Sequence, residues 1–165
     1  MIQLKKISKD SIPSALEKAE RYRLLNEPSL TESICTDILE IDPGNNKAIV
    51  TLLLAITDQF GASSSDDINR ARQLAEDLKD GYQQQYYSGI ICERKAKSIL
   101  HRGIPDSEFI AYEWLRDAMD FYEAAETIRP TGNDDSILRW NTCARLIDKH
   151  HLKARTEQYT ESMLE

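Results

Sequence analysis

The run Ala118-Met-Asp-Phe-Tyr122-Glu-Ala-Ala125-Glu-Thr-Ile-Arg-Pro130 constrains this chain more tightly than any other segment of it. Small side chains at 118 and 125 let two helix backbones approach closely, and the aromatic at 122 fills the space beside them. Pro130, lacking a backbone N–H, stops the run. Such a helix is made to nest against a neighbour and then end abruptly. Elsewhere apolar residues recur at three- and four-residue spacing almost from end to end, and no stretch sustains the alternation of a strand. The expected fold class is all-α.

With 165 residues the chain fits one domain able to bury a sizeable core. A hydrophobic content of 41%, with only 6 Gly and 5 Pro, argues against disorder and against a turn-rich β fold. The net charge of −7 is spread among interspersed acids and bases, which disfavours a nucleic-acid partner. Cys35, Cys92 and Cys143 are isolated within apolar patterns, and no C-x-x-C occurs, so free buried thiols are expected rather than a disulfide frame or a zinc knuckle. The N-terminal run Met1-Ile-Gln-Leu-Lys-Lys-Ile7 is too short in apolar residues for a signal peptide. The longest apolar stretch, around Ala48 to Ile56, falls well short of the ~20 residues of a membrane span. These features point to a soluble, cytoplasmic protein with no membrane insertion.

Periodicity and punctuation predict seven helices, over residues 11–25, 29–41, 46–59, 66–78, 82–101, 107–128 and 134–150. Asp10 or Ser11 is placed to cap the first, with Pro13 in its first turn. Asp42-Pro43-Gly44-Asn45 ends the second and caps the third, and Asn133 is placed to cap the seventh. The third is apolar nearly all round and so must be covered on several sides. Asp80-Gly81 is expected to close the fourth with a left-handed residue. Gly89, in the middle of the fifth, costs roughly 1 kcal/mol against alanine and calls for a close helix–helix approach. Gly61-Ala-Ser-Ser-Ser65 reads as a flexible loop, and the polar segment from Leu152 to Glu165 as an extension of the last helix or a frayed end.

The alanine, aromatic and proline spacing at 118–130 resembles the second helix of a tetratricopeptide (TPR) repeat. Ala19, Tyr22, Ile38, Leu39, Pro43 and Asn45 resemble the corresponding positions of an earlier copy. This likeness implies three TPR-like hairpins and a C-terminal capping helix over residues 11–150, stacked as an α-α superhelix of antiparallel helices, flanked by extensions at 1–10 and 151–165. Only the first pair has the standard repeat length of about 34 residues. In the third, the registers set by Gly89 and by Ala118 differ by 17 residues, so both its helices must run about two turns longer.

No catalytic constellation, metal site or cofactor motif appears, and no enzyme activity is expected. His101, His150 and His151 all fall at predicted helix C-termini, where a protonated imidazole complements the dipole. Asp and Glu are expected on outward faces, and Trp114, Phe121, Tyr122 and Trp140 in the core. The basic cluster Arg94, Lys95, Lys97 and Arg102 reads most simply as solvated charge at a helix end.

The TPR likeness implies that the first helix of each pair lines a concave groove. Carried onto this chain, its lining positions are Leu16, Glu20 and Arg23, then Val50, Leu54, Thr57 and Asp58. Further along they are Tyr86, Ile90, Glu93 and Arg94, and in the capping helix Leu138, Thr142 and Arg145. The carboxylate clamp of chaperone-binding members is missing, because Glu20 and Leu54 occupy its asparagine positions. An apolar floor with a mixed-charge rim suits a partner's amphipathic helix or extended apolar peptide. The expectation is a non-enzymatic protein–protein interaction module. The alternatives are a homo-oligomer that pairs through the same stripe, or an accessory subunit or chaperone of a larger enzyme or secretion assembly. A packed groove, closed by the chain's own C-terminal segment, is the competing structural reading.

Overall fold

A computed structural model describes residues 1–62 and 65–156. Among these the chain is all-α, with seven α-helices and no strand: α1 (Ile12–Leu24), α2 (Pro28–Ile41), α3 (Asn46–Asp58), α4 (Ser65–Asp77), α5 (Gly81–Arg102), α6 (Ser107–Thr127) and α7 (Asp135–Lys149). Each predicted helix is present, with no end displaced by more than one residue. They divide into two compact units, Met1–Asp80 and Gly81–Glu165.

In the first unit consecutive helices pack on one another, and α1 also touches α3. Side-chain contacts fix the directions. The Thr31 hydroxyl, in the first turn of α2, donates to the Ala19 carbonyl late in α1 at 2.9 Å. At the other end Ile38, late in α2, shares a core cluster with Ile12 and Ala48 at the starts of α1 and α3. Arg23 and Asp58 then join the last turns of α1 and α3. Neighbouring helices are therefore antiparallel, while α1 and α3 run the same way. Arg70, early in α4, reaches Glu32, early in α2, which brings the starts of the second helices of the two pairs together.

Helix α3 carries the core of this unit. Its all-round apolar character is matched by burial of Ala48, Ile49, Leu52, Leu53, Ala55 and Ile56, each large aliphatic contributing about 1.5–3 kcal/mol. Asn45 caps it, its Oδ1 accepting from the Ala48 N–H at 3.0 Å while its amide donates to Asp42. The predicted serine loop is only partly visible: Phe60–Ala62 forms a single 3-10 turn, and residues 63 and 64 lie outside the described set.

The second unit runs up, down and up again. Helices α5 and α6 are 22 and 21 residues long against 13 or 14 in the first unit, the two extra turns that the register difference required. The α5–α6 approach is as close as Gly89 implied. A Cβ at this position would lie 2.7 and 2.9 Å from Cδ1 and Cζ of the Tyr122 ring. Ala118 and Ala125 are fully buried on the same helix as Tyr122. Tyr82, at the start of α5, bonds Asn133 just before α7, and Glu93, further along α5, meets Arg139 and Cys143 further along α7, so α5 and α7 run in the same direction.

Several local expectations are corrected. Gly81 opens α5 with ordinary helical geometry instead of closing α4 in the left-handed region, which is occupied by Asn26, Asp106 and His151 together with Gly103 and Gly132. Ser11 stands at the N-cap of α1 but its hydroxyl donates backward to the Ser8 carbonyl, so it caps nothing. Asp134 is the N-cap of α7, while Asn133 accepts from the Asp135 N–H at 3.0 Å from one residue further out. Leu30 falls at an apolar step of the α2 period but is exposed, because it sits in the first turn of the helix at the tip of the first hairpin. Residues 151–156, after α7, do not extend the helix. Leu152 is buried and Arg155 lies over the Phe109 ring, 5.1 Å from its centroid. Residues 157–165 of the expected extension lie outside the described set.

Candidate functional site

The predicted lining positions are met one unit at a time. On α1, Leu16, Glu20 and Arg23 follow one another at helical spacing, as do Val50, Leu54 and Asp58 on α3. Because α1 and α3 are parallel neighbours, the two stripes run side by side. Arg23 and Asp58 make the join explicit: the guanidinium Nε donates to Oδ2 at 2.8 Å and Nη2 to Oδ1 at 3.3 Å, a two-pronged pair across 35 residues. Val50 and Leu54 are partly exposed, Glu20 and Asp58 exposed. Leu16 is partly exposed but also packs on the Ile12–Ile38–Ala48 cluster, so it belongs to the floor of this face and to the core at once. Thr57, assigned to the same lining, is buried, and its hydroxyl turns back to the Leu54 carbonyl at 2.8 Å.

In the second unit the lining positions separate into surface and interior. Leu138 is exposed, Arg145 is exposed, and Tyr86, Arg94 and Thr142 are partly exposed. Ile90 and Glu93 are buried and present nothing to a partner. The reason is the same α5–α6 approach that Gly89 allows: Glu93 lies one turn on from Gly89 and one turn before buried Ala96, so all three share a face.

Glu93 corrects the expectation that every carboxylate lies on an outward face. Its side chain is fully buried and bonds groups from all three helices of the unit. Tyr122 of α6 donates its hydroxyl to Oε1 at 3.1 Å, and the Cys143 thiol of α7 points at the same oxygen from 3.7 Å. Lys97, one turn on in α5, donates to Oε2 at 2.7 Å, and Arg139 of α7 donates to it at 3.1 Å. Two cations therefore compensate one buried anion, and both their heads reach partly into solvent. Burial and the Glu93 charge push the Tyr122 hydroxyl well above the usual phenol range. The same two causes push the Cys143 thiol up to about 12. The group is a neutralised, hydrogen-bonded junction with no activated nucleophile. No sequence signal marked Glu93 as a buried junction, since apart from Lys97 its partners lie 29 to 50 residues away.

Of the aromatics assigned to the core, only Tyr122 is fully enclosed. Trp114, Phe121 and Trp140 are partly exposed. Tyr86 joins a ring cluster, stacked on Tyr82 at 5.8 Å and tilted against Tyr122 at 5.9 Å, which makes it a packing residue as much as a surface one. His101, His150 and His151 are exposed at helix ends, and Cys35, Cys92 and Cys143 are all buried and free. Among the described residues no group of His, Cys, Asp and Glu is arranged to hold a metal ion, and no helix is long and apolar enough to cross a membrane.

Comparison with protein-family models, curated proteins and solved structures gave no significant match.

Proposed function

We propose that the chain is a TPR-like helical-repeat protein that recognises another protein through the α1/α3 face of its first unit. The observation that carries this reading is the side-by-side alignment of the α1 and α3 stripes, joined by Arg23 and Asp58, with Val50 and Leu54 left partly exposed between charged neighbours. Helices of alternating direction whose first members run parallel are what a repeat of this kind requires. An aliphatic strip with a charged edge suits the apolar side of an amphipathic helix or an extended apolar peptide. The reading is non-enzymatic, and it takes the Glu93 junction as structural. In this reading the protein works in the cytoplasm.

Site-specific photo-crosslinking tests it. A benzoylphenylalanine placed at position 54 should trap a heterologous protein in the native cell. The same group at the exposed position 17, off the stripe, should not. Adducts containing only a second copy of this chain would favour the homo-oligomer instead. Equal trapping at both positions would remove the α1/α3 face as the site.

A further inference from the structure

A second surface, independent of the α1/α3 face, lies in the second unit. Between α6 and α7 a cleft of about 250 Å³ is lined by Glu123, Glu126, Ile137 and Trp140. That is smaller than the usual drug-sized pocket of roughly 300–1,000 Å³, and suits one side chain rather than a whole cofactor. Its walls combine an indole and an aliphatic side chain with two carboxylates. The Trp140 Nε1 donates to Glu123 Oε1 at 3.0 Å, which fixes the indole beside the carboxylate. Glu126 is only partly neutralised: Arg129 approaches it at 3.6 Å and is shared with Asp134 at 3.4 Å.

The surroundings carry the same sign. Helix α6 holds six carboxylates against a single base, Arg116. Glu113, Asp117, Asp120 and Glu123 are exposed at successive three- and four-residue steps leading to the cleft. From Glu113 to Glu126 the row extends about 20 Å along the helix. A lone small cation would use the cleft alone. A row of this length matches several cations carried on one chain.

We propose that the cleft receives an arginine side chain of a basic peptide segment lying along α6. A guanidinium is the best fit to this chemistry, since it stacks on an indole and pairs with carboxylates through a planar fork. Neighbouring basic residues of the same segment face Asp120, Asp117 and Glu113.

The test is fluorescence anisotropy with the full chain and a labelled ten-residue peptide of alternating arginine and serine. Saturable one-to-one binding is expected, and the peptide with citrulline in place of arginine should not bind. Trp140→Ala, and separately Glu123→Gln with Glu126→Gln, should weaken binding by at least about tenfold. Trp140→Phe keeps a ring in place and should lose less than Trp140→Ala, which guards against simple misfolding. Glu17→Gln with Glu40→Gln removes two exposed charges from the first unit and should leave the affinity unchanged. Leu54→Arg should leave it unchanged too, so failure here and failure of the α1/α3 reading are distinguishable. An equal loss in the Glu17/Glu40 pair would reduce the effect to bulk charge and overturn the proposal. So would undiminished binding by Trp140→Ala, or no saturable binding at all.

Discussion

The Tyr122 hydroxyl donates to the buried Glu93 carboxylate at 3.1 Å, while the ring of the same tyrosine fills the space left open by Gly89 one turn earlier on α5. One side chain thus satisfies a buried charge and sets the α5–α6 spacing. Tyr122→Phe keeps the ring and removes the donor, leaving Glu93 Oε1 with only the weak Cys143 thiol at 3.7 Å. The expected cost is about 1–3 kcal/mol, read as a shift in the urea midpoint. An unchanged midpoint would mean that the hydroxyl contributes nothing to the junction.

Gly89→Ala tests the other half of that relationship. Its added methyl would overlap the Tyr122 ring, and the expected loss is about 1–3 kcal/mol by overpacking, although alanine is the better helix former. Combining it with Tyr122→Leu should give less than the sum of the two single effects, because the clash partner is gone. Strict additivity would place the clash elsewhere.

Ala125 is fully buried on α6. Ala125→Leu forces three extra carbon atoms toward its neighbours and should cost roughly 1–3 kcal/mol. A denaturation midpoint equal to that of the unaltered protein would contradict the small-residue reading of the 118–130 run.

The thiols give a pH prediction with a definite sign. Burial pushes both Cys35 and Cys143 up to about 12, helped by Glu32 and Glu20 at the first and by Glu93 at the second. Unfolding restores an ordinary thiol, so at alkaline pH the unfolded chain releases protons that the folded chain keeps. This contribution to stability is fully present below the unfolded value and is lost as pH rises toward the folded one. Melting temperature should therefore fall as pH is raised from about 8 toward about 11, and less steeply in Cys35→Ala. All three buried thiols should react slowly with a thiol reagent in the native protein and fast in urea. Rapid native labelling of Cys92 would show an open route to α5.

Helix content and boundaries were legible because they rest on local chemistry: the 3.6-residue period, the Asn45 cap, and Pro13, Pro28 and Pro130 at the ends. The close α5–α6 contact was legible for a similar reason, since Gly89 inside a helix and Ala118 and Ala125 flanking Tyr122 have few other uses. The Glu93 junction was not. A glutamate followed by Arg94, Lys95 and Lys97 looks like the start of a solvated face, and only folding brings Tyr122, Arg139 and Cys143 to it. Family-position reasoning likewise put Ile90 and Thr57 on a surface, whereas packing against neighbouring helices buries both. The Trp140 cleft was not legible, because aromatic residues at helical spacing read as core.

The central claim is that the partly exposed α3 stripe is a working surface rather than an imperfect core, and Leu54→Arg measures it. A thermal melt and partner capture are run on the same preparation. The arginine adds a charge where an apolar partner would dock, at a position that folding does not need to enclose. The account predicts a melting temperature within about 2 °C of the unaltered protein, together with loss of the captured partner. A fall of more than about 5 °C would show that Leu54 is core, and undiminished capture by a stable variant would show that the α1/α3 face is not where the partner binds.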